Sequence, residues 1–303
     1  MAAQSGAFSY DDKAGRESLW DQMKDLDVIE NYVTSNAGKV DVTNKVHAWV
    51  QDPITATSSQ AGTLELTDTS YTASNPTILY NTTQIIEKGM AVAETLQNTK
   101  HAGFSDRFAR EQLKKMKEWK QQLEFSATVG VMATGAATGA ARTMRGLTGF
   151  ASTLKTQISI SGTSLSSDML NTFLGNAWAQ GGKHDTILVQ RTLKTRISGF
   201  TAGNTRNINA SAAELVGRVD VYDSDYGRVQ VVLHYYANSY TSHISATEDL
   251  ISYIKDYIQV GFMDEPHFED RARTGYFKAG AIAGEATLQV DNEKAVQWIT
   301  FLL

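Results

Sequence analysis

The segment from Ser105 to Val131, SDRFAREQLKKMKEWKQQLEFSATVGV, constrains the fold more than any other stretch. Its apolar residues Phe108, Leu113, Met116, Trp119, Leu123 and Ala127 recur at short steps that trace one slanting stripe of a helix. Arg107, Arg110, Glu111, Lys114, Lys115, Lys117, Glu118, Lys120 and Glu124 fall between them and are expected on the solvated faces. Ser105 is placed to act as the N-cap, and Asp106 suits the positive end of the helix dipole. At about 1.5 Å per residue the helix would run roughly 35–40 Å. The chain on either side reads mainly as strand, turn and loop. One long helix laid across a β-rich body, an α+β architecture, is the expectation.

With 303 residues and 42% hydrophobic composition, the chain can bury a large core in one domain or two. Its formal net charge of −5 argues against a protein whose main task is gripping phosphates. It has no cysteine, which excludes disulfides, thiolate nucleophiles and cysteine metal sites. The N-terminus lacks the apolar core of a secretory signal, and no run approaches the roughly 18 apolar residues of a membrane span. A soluble, intracellularly made chain without membrane contact is the reading. The sequons at Asn81 and Asn209 are then chance matches.

Residues 1–16 are small and polar and suggest an extended arm, followed by a short helix over residues 18–32. From Gly38 the period changes to two: Val40, Val42, Val46, Ala48 and Val50 mark a strand with His47 and Trp49 on its other face. Residues 51–77 are dominated by Thr and Ser, and Pro53 and Pro76 bracket them. Leu64, Leu66 and Thr67 suggest a strand inside that stretch, and Thr77 to Ile86 returns as a β-branched strand. Two strands around so polar a segment make a long hairpin that cannot bury enough apolar surface by itself and needs another chain to hold it. Met90 to Gln97 suggests a brief helix. Glycines 135, 139, 146 and 149 mark a flexible connector or a backbone packed too closely for side chains.

From Leu165 the pattern is α/β. Ser166 or Ser167 caps a helix through Trp178, Gly181-Gly182 ends it, and Thr186 to Val189 is a short buried strand. A further helix is expected over Thr192 to Phe200, and Arg218 to Leu233 is a hairpin turning at Asp223 to Gly227. Leu250 to Val260 mixes helix and strand signals. Ala286 to Val290 and Ala295 to Leu303 read as closing strands around an Asp291-Asn292 turn.

No motif carries catalysis or a cofactor. The six histidines lack metal-ligand spacing. Gly181-Gly182-Lys183 resembles the end of a phosphate loop, but Ala177 stands where the first glycine belongs and His184 where Ser or Thr belongs. Asp220, Asp223 and Asp225 imitate a calcium loop without its closing glutamate, and a hairpin turn explains them better.

The order of parts resembles a tailed-phage major capsid protein of the Hong Kong 97 fold. Val46-His-Ala-Trp-Val-Gln-Asp-Pro53, Asn81-Thr-Thr-Gln-Ile-Ile86, Arg142-Thr-Met-Arg-Gly-Leu147, Ala179-Gln-Gly-Gly182 and Leu215 to Gly227 are similar to stretches of one major head protein family. Arg273-Thr-Gly275 and Glu285 to Val290 resemble its C-terminal region. Ala48 replaces an expected glutamate, and residues 237–260 match nothing in it.

The resemblance implies an N-terminal arm (1–37), an extended hairpin or E-loop (38–85), a peripheral domain (86–150 and 260–303) with its spine helix at 105–131, and an axial domain (151–259). It implies hexamers and pentamers of the chain in an icosahedral or prolate head around double-stranded DNA, contacted non-specifically. A separate scaffolding protein, a portal and a decoration protein are the further partners. If Met1 is the genetic start, no scaffolding segment precedes the arm. Trp20, Trp49, Leu64, Leu66 and Tyr71 are the expected intersubunit contacts, with a core position as the alternative for Trp49. The rival readings are an encapsulin-like shell around protein cargo, a phage decoration or tail protein, and an α/β enzyme with its site near Gly181 to Asp185.

Overall fold

The computed structural model describes residues 31–52, 62, 64, 65, 68, 73–100, 106–135, 139–153, 158–161, 165–200, 220–237 and 247–302. The expected arm over residues 1–16, the helix expected from residue 18, and Leu66 and Thr67 of the expected inner strand fall outside them. Two short helices, α1 (Tyr32–Asn36) and α2 (Glu94–Asn98), precede the long one, α3 (Arg107–Val129). Asp106 is the N-cap of α3, its side chain accepting from the Ala109 N–H. Ser105 lies outside the described residues.

α3 buries Phe108, Trp119, Leu123 and Ala127 as the stripe requires. Two residues depart from it. Leu113 is 68% exposed. Five residues on from Phe108 it stands about 140° round the helix, off the stripe. Glu124, expected in solvent, is wholly buried, because α1 packs on that side of α3.

The body beneath α3 is a four-stranded sheet in the order β1 (Gly38–Asp41), β10 (Ile258–Asp270), β11 (Phe277–Val290), β4 (Gln84–Ala93). β1 runs parallel to β10, and the other pairs are antiparallel. Trp119 crosses from α3 to the sheet and its Nε1 donates to the Ile86 carbonyl at 2.8 Å. The expected strand from Val40 to Val50 is two strands in two sheets: β1, then β2 (Val46–Gln51) paired with β3 (Thr77–Thr82). Val42 separates them, buried in space that a side chain at Gly261 would fill.

The second body is a six-stranded sheet ordered β5 (Ile158–Ser161), β12 (Val296–Leu302), β9 (Thr247–Tyr253), β6 (Thr186–Val189), β8 (Gly227–Leu233), β7 (Val221–Ser224). Helices α5 (Ser167–Ala179, capped by Ser166) and α6 (Arg191–Phe200) accompany it, and α4 (Leu147–Thr153) lies between the bodies against β12 and α3. Two findings alter the expected division. Residues 296–302, expected to complete the first body, pair with β9 and β5 in the second sheet. Gly38–Asp41, expected in the E-loop, belongs to the first sheet. Trp178, near the end of α5, is 61% exposed and packs against Tyr226 with ring centroids 6.3 Å apart.

The glycines of the connector do different work at different positions. Gly135 and Gly139 take positive φ where the chain turns back to bridge Ala133 to Thr143. Gly146 instead lies against α3, where a Cβ would meet the Gly130 nitrogen at 2.5 Å and the Ser126 carbonyl at 2.7 Å.

Candidate assembly surfaces

The β2–β3 hairpin has two chemically different faces. Along β2 burial alternates, with His47, Trp49 and Gln51 half-buried and Val46, Ala48 and Val50 exposed. The inner face rests on its own chain. Trp49 packs against Phe150 with ring centroids 6.1 Å apart, His47 Nε2 lies 2.6 Å from Gln289 Oε1, and Gln51 Nε2 donates to Asn292 Oδ1 at 3.0 Å. The outer face pairs Val50 with Ile78 and Ala48 with Tyr80 across the strands. Val50 is 66% and Ile78 68% exposed. Cross-strand apolar pairs stabilise a hairpin, yet this pair leaves most of its surface in water.

Of the expected contact residues, Trp49 therefore turns toward its own core, and Leu64 is 76% exposed. Trp20, Leu66 and Tyr71 lie outside the described residues. The outward residues Val46, Val50, Ile78 and Tyr80 were not singled out, although the β2 alternation that placed Trp49 opposite the valines already separated the two faces.

A polar knot fixes the base of the hairpin. Asn81 is wholly buried; its Nδ2 donates to the carbonyls of Arg145 (3.0 Å) and Leu288 (2.7 Å), and its Oδ1 accepts from the N–H of Arg145 (2.8 Å) and Thr82 (2.9 Å). Thr82 Oγ1 donates to the Thr143 carbonyl at 2.7 Å. Thr83 Oγ1 bonds to Glu285, which also holds Arg142 Nη2 at 2.7 Å. The stretches Asn81 to Ile86 and Arg142 to Leu147, far apart in sequence, thus meet here. Burial of Asn81 leaves its sequon unavailable to solvent in the folded subunit.

The Gly181 to Asp185 region is occupied by structure. Gly181 has φ of 87°, as the end of α5 requires, and a Cβ on Gly182 would meet the Lys294 carbonyl at 2.8 Å. His184 Nδ1 lies 2.6 Å from Ser252 Oγ and its Nε2 3.2 Å from the Lys294 carbonyl. Burial holds the His184 pKa below the ordinary imidazole value, against the opposing Lys294 hydrogen bond and Asp185 charge. Asp185 accepts from the Lys255 N–H and Thr186 Oγ1. These groups brace a turn between β6, β9 and the last strand. Asp223 to Gly227 turns the β7–β8 hairpin, with Ser224 Oγ donating to the Gly227 carbonyl at 2.9 Å. Among the described residues no three His, Asp or Glu side chains cluster as a metal would require.

Solved structures similar to this one include a phage capsid and an encapsulin shell. A chain from Microbacterium phage Oxtober96 superposes with TM-score 0.64 at 12% identity, covering 94% of this chain and 95% of that one. The capsid of Myoviridae phage XM1 gives 0.58 at 13% identity over 94% and 97% of the two chains. The holo-SrpI encapsulin complex of Synechococcus elongatus gives 0.57 at 7% identity over 91% of each. No curated protein matches the sequence. A model of the SU10 major capsid protein family, however, matches residues 4–302. The chain belongs to the SU10 major capsid protein family, with a subunit of the Hong Kong 97 fold.

Proposed function

We propose that this capsid protein forms the wall of a phage head by assembling into hexamers and pentamers through its β2–β3 hairpin. One observation carries the reading: the hairpin anchors one face and its base on its own chain while its other face presents Val46, Val50, Ile78 and Tyr80 to solvent. A neighbouring copy laid on that face removes apolar area from water, about 25 cal/mol per Å² buried. Each contact is modest, and a closed shell repeats it enough times to be stable. In this scheme residues 1–37 are the arm, the four-stranded sheet with α3 is the peripheral domain and the six-stranded sheet is the axial domain. Trp20, Leu64, Leu66 and Tyr71 remain candidate contacts, and Trp49 serves the core.

The role is structural, without a catalytic step. A separate scaffolding protein, a portal and a decoration protein are the further partners. The net charge of −5 suits a wall that confines a duplex without adhering to it, apart from basic spots such as Lys13, Arg16 and Lys24.

Size-exclusion chromatography and negative-stain microscopy of the protein expressed alone and with its neighbouring genes test the proposal. Rings, tubes or closed shells are expected; a monomer under every condition contradicts it. The likeness to an encapsulin keeps a second reading, a shell around protein cargo, and the contents of purified particles decide between nucleic acid and protein.

A further inference from the structure

Glu124 of α3 is wholly buried and meets donors from two distant parts of the chain. Oε1 accepts from the Val33 N–H at 2.7 Å and from His234 Nε2 at 2.9 Å. Oε2 accepts from the Thr34 N–H at 2.9 Å and Thr34 Oγ1 at 2.6 Å. A carboxylate offers about four acceptor sites, so these donors saturate it. Val33 and Thr34 belong to α1, the first described helix, and His234 follows β8 of the six-stranded sheet. The His234 N–H is itself fixed to the Val189 carbonyl of β6 at 2.9 Å.

This arrangement is asymmetric. A helix as short as α1 has no stability of its own and holds its place only through what it touches. A buried carboxylate, in turn, is tolerated only while its hydrogen bonds are complete. The backbone of His234 is the fixed member, tied to β6, and its imidazole reaches the carboxylate that receives α1. We propose that Glu124 is a positioning residue: through His234 it couples the six-stranded sheet to α1. A shift of the sheet relative to α3 then loosens α1, and loosening α1 frees the sheet, because coupling between two sites is reciprocal. The inference concerns the single subunit and stands independently of assembly.

Hydrogen exchange of the full-length, unassembled subunit tests it. The hydrogen-bond path from His234 to Val33 and Thr34 runs through Glu124, so His234→Ala should speed exchange in the peptide spanning residues 31–37 by about tenfold or more, the effect of losing one hydrogen bond to a charged group. Glu124→Gln should do the same, and the double variant should add little to either. His234→Gln, which keeps an N–H donor, should restore most of the protection. Val231→Ala, a core change in β8, is the control and should not act selectively on 31–37. Should His234→Ala fail to fold, Thr34→Val removes one donor at the half-buried end and should speed exchange around residues 233–237. Unchanged exchange at 31–37 in His234→Ala, or at 233–237 in Thr34→Val, overturns the proposal.

Discussion

Asn81 and Arg145 pair as a side chain with a backbone: Asn81 Nδ2 donates to the Arg145 carbonyl at 3.0 Å, and the Arg145 N–H returns a bond to Asn81 Oδ1 at 2.8 Å. The amide thereby satisfies the connector after α3 at the point where the hairpin leaves the sheet. Arg145 continues inward, its guanidinium 5.1 Å from the centre of the Phe150 ring against which Trp49 also packs. Anchoring of the hairpin base is thus continuous from a polar knot to an aromatic stack.

Asn81→Ala removes partners from four backbone groups at once, two buried and two half-buried. The expected loss is about 3 kcal/mol or more, since each buried group left without a partner costs about 1–3 kcal/mol. Chemical denaturation of the unassembled subunit measures it. A loss of a few tenths would mean that water replaces the amide.

The two hairpin faces should separate stability from assembly. Val50→Lys with Ile78→Lys should change subunit stability by no more than about 0.5 kcal/mol yet prevent particle formation. Trp49→Ala should cost about 2–3 kcal/mol through the cavity it leaves beside Phe150. Thermal melts and size-exclusion profiles of both variants decide. Assembly that survives the double lysine variant removes the outer face from the interface.

Gly146→Ala should destabilise by about 3 kcal/mol, because the new methyl meets backbone of α3 that cannot move aside. Gly89→Ala in β4 is the contrast: open space surrounds that position, and a gain of about 0.5 kcal/mol is expected. Paired denaturant midpoints check both.

His184 should make the fold acid-sensitive. Its folded pKa lies below the unfolded value near 6.5, so the unfolded chain binds the proton more readily. Stability is therefore complete above that value and falls as pH drops below it. His267 has the opposite sign: the Glu265 carbonyl, then Glu269, raise its pKa, and its contribution is lost as pH rises through the folded value. His267 is exposed and screened, so the buried group should dominate. His184→Gln should flatten the fall in Tm between pH 7 and pH 5; an unchanged slope would assign it to other groups.

Much of this architecture was legible because it is local. The stripe from Phe108 to Ala127 gave the long helix, alternation around Asp223 to Gly227 gave a hairpin, and Ser166 with Gly181 bounded α5. The rest depends on pairings across the chain. Nothing local tells β12 to join β9, or β1 to leave the strand that follows it. Glu124 is indistinguishable in sequence from the solvated glutamates of α3, and only α1 and His234 make it a buried one. Asn81 read as a chance sequon, since its partners Arg145 and Leu288 are remote. Of the candidate contacts, Trp49 was open between core and interface, and its packing on Phe150 depends on a residue remote in sequence.

Cryo-electron microscopy of particles assembled from the full-length protein tests the central claim most directly. The account predicts a closed shell of hexamers and pentamers in which Val50 and Ile78 of each hairpin lie buried beneath or upon an adjacent copy, while Trp49 stays against its own Phe150. A shell in which that face remains open to solvent, or a chain that never assembles, would contradict it.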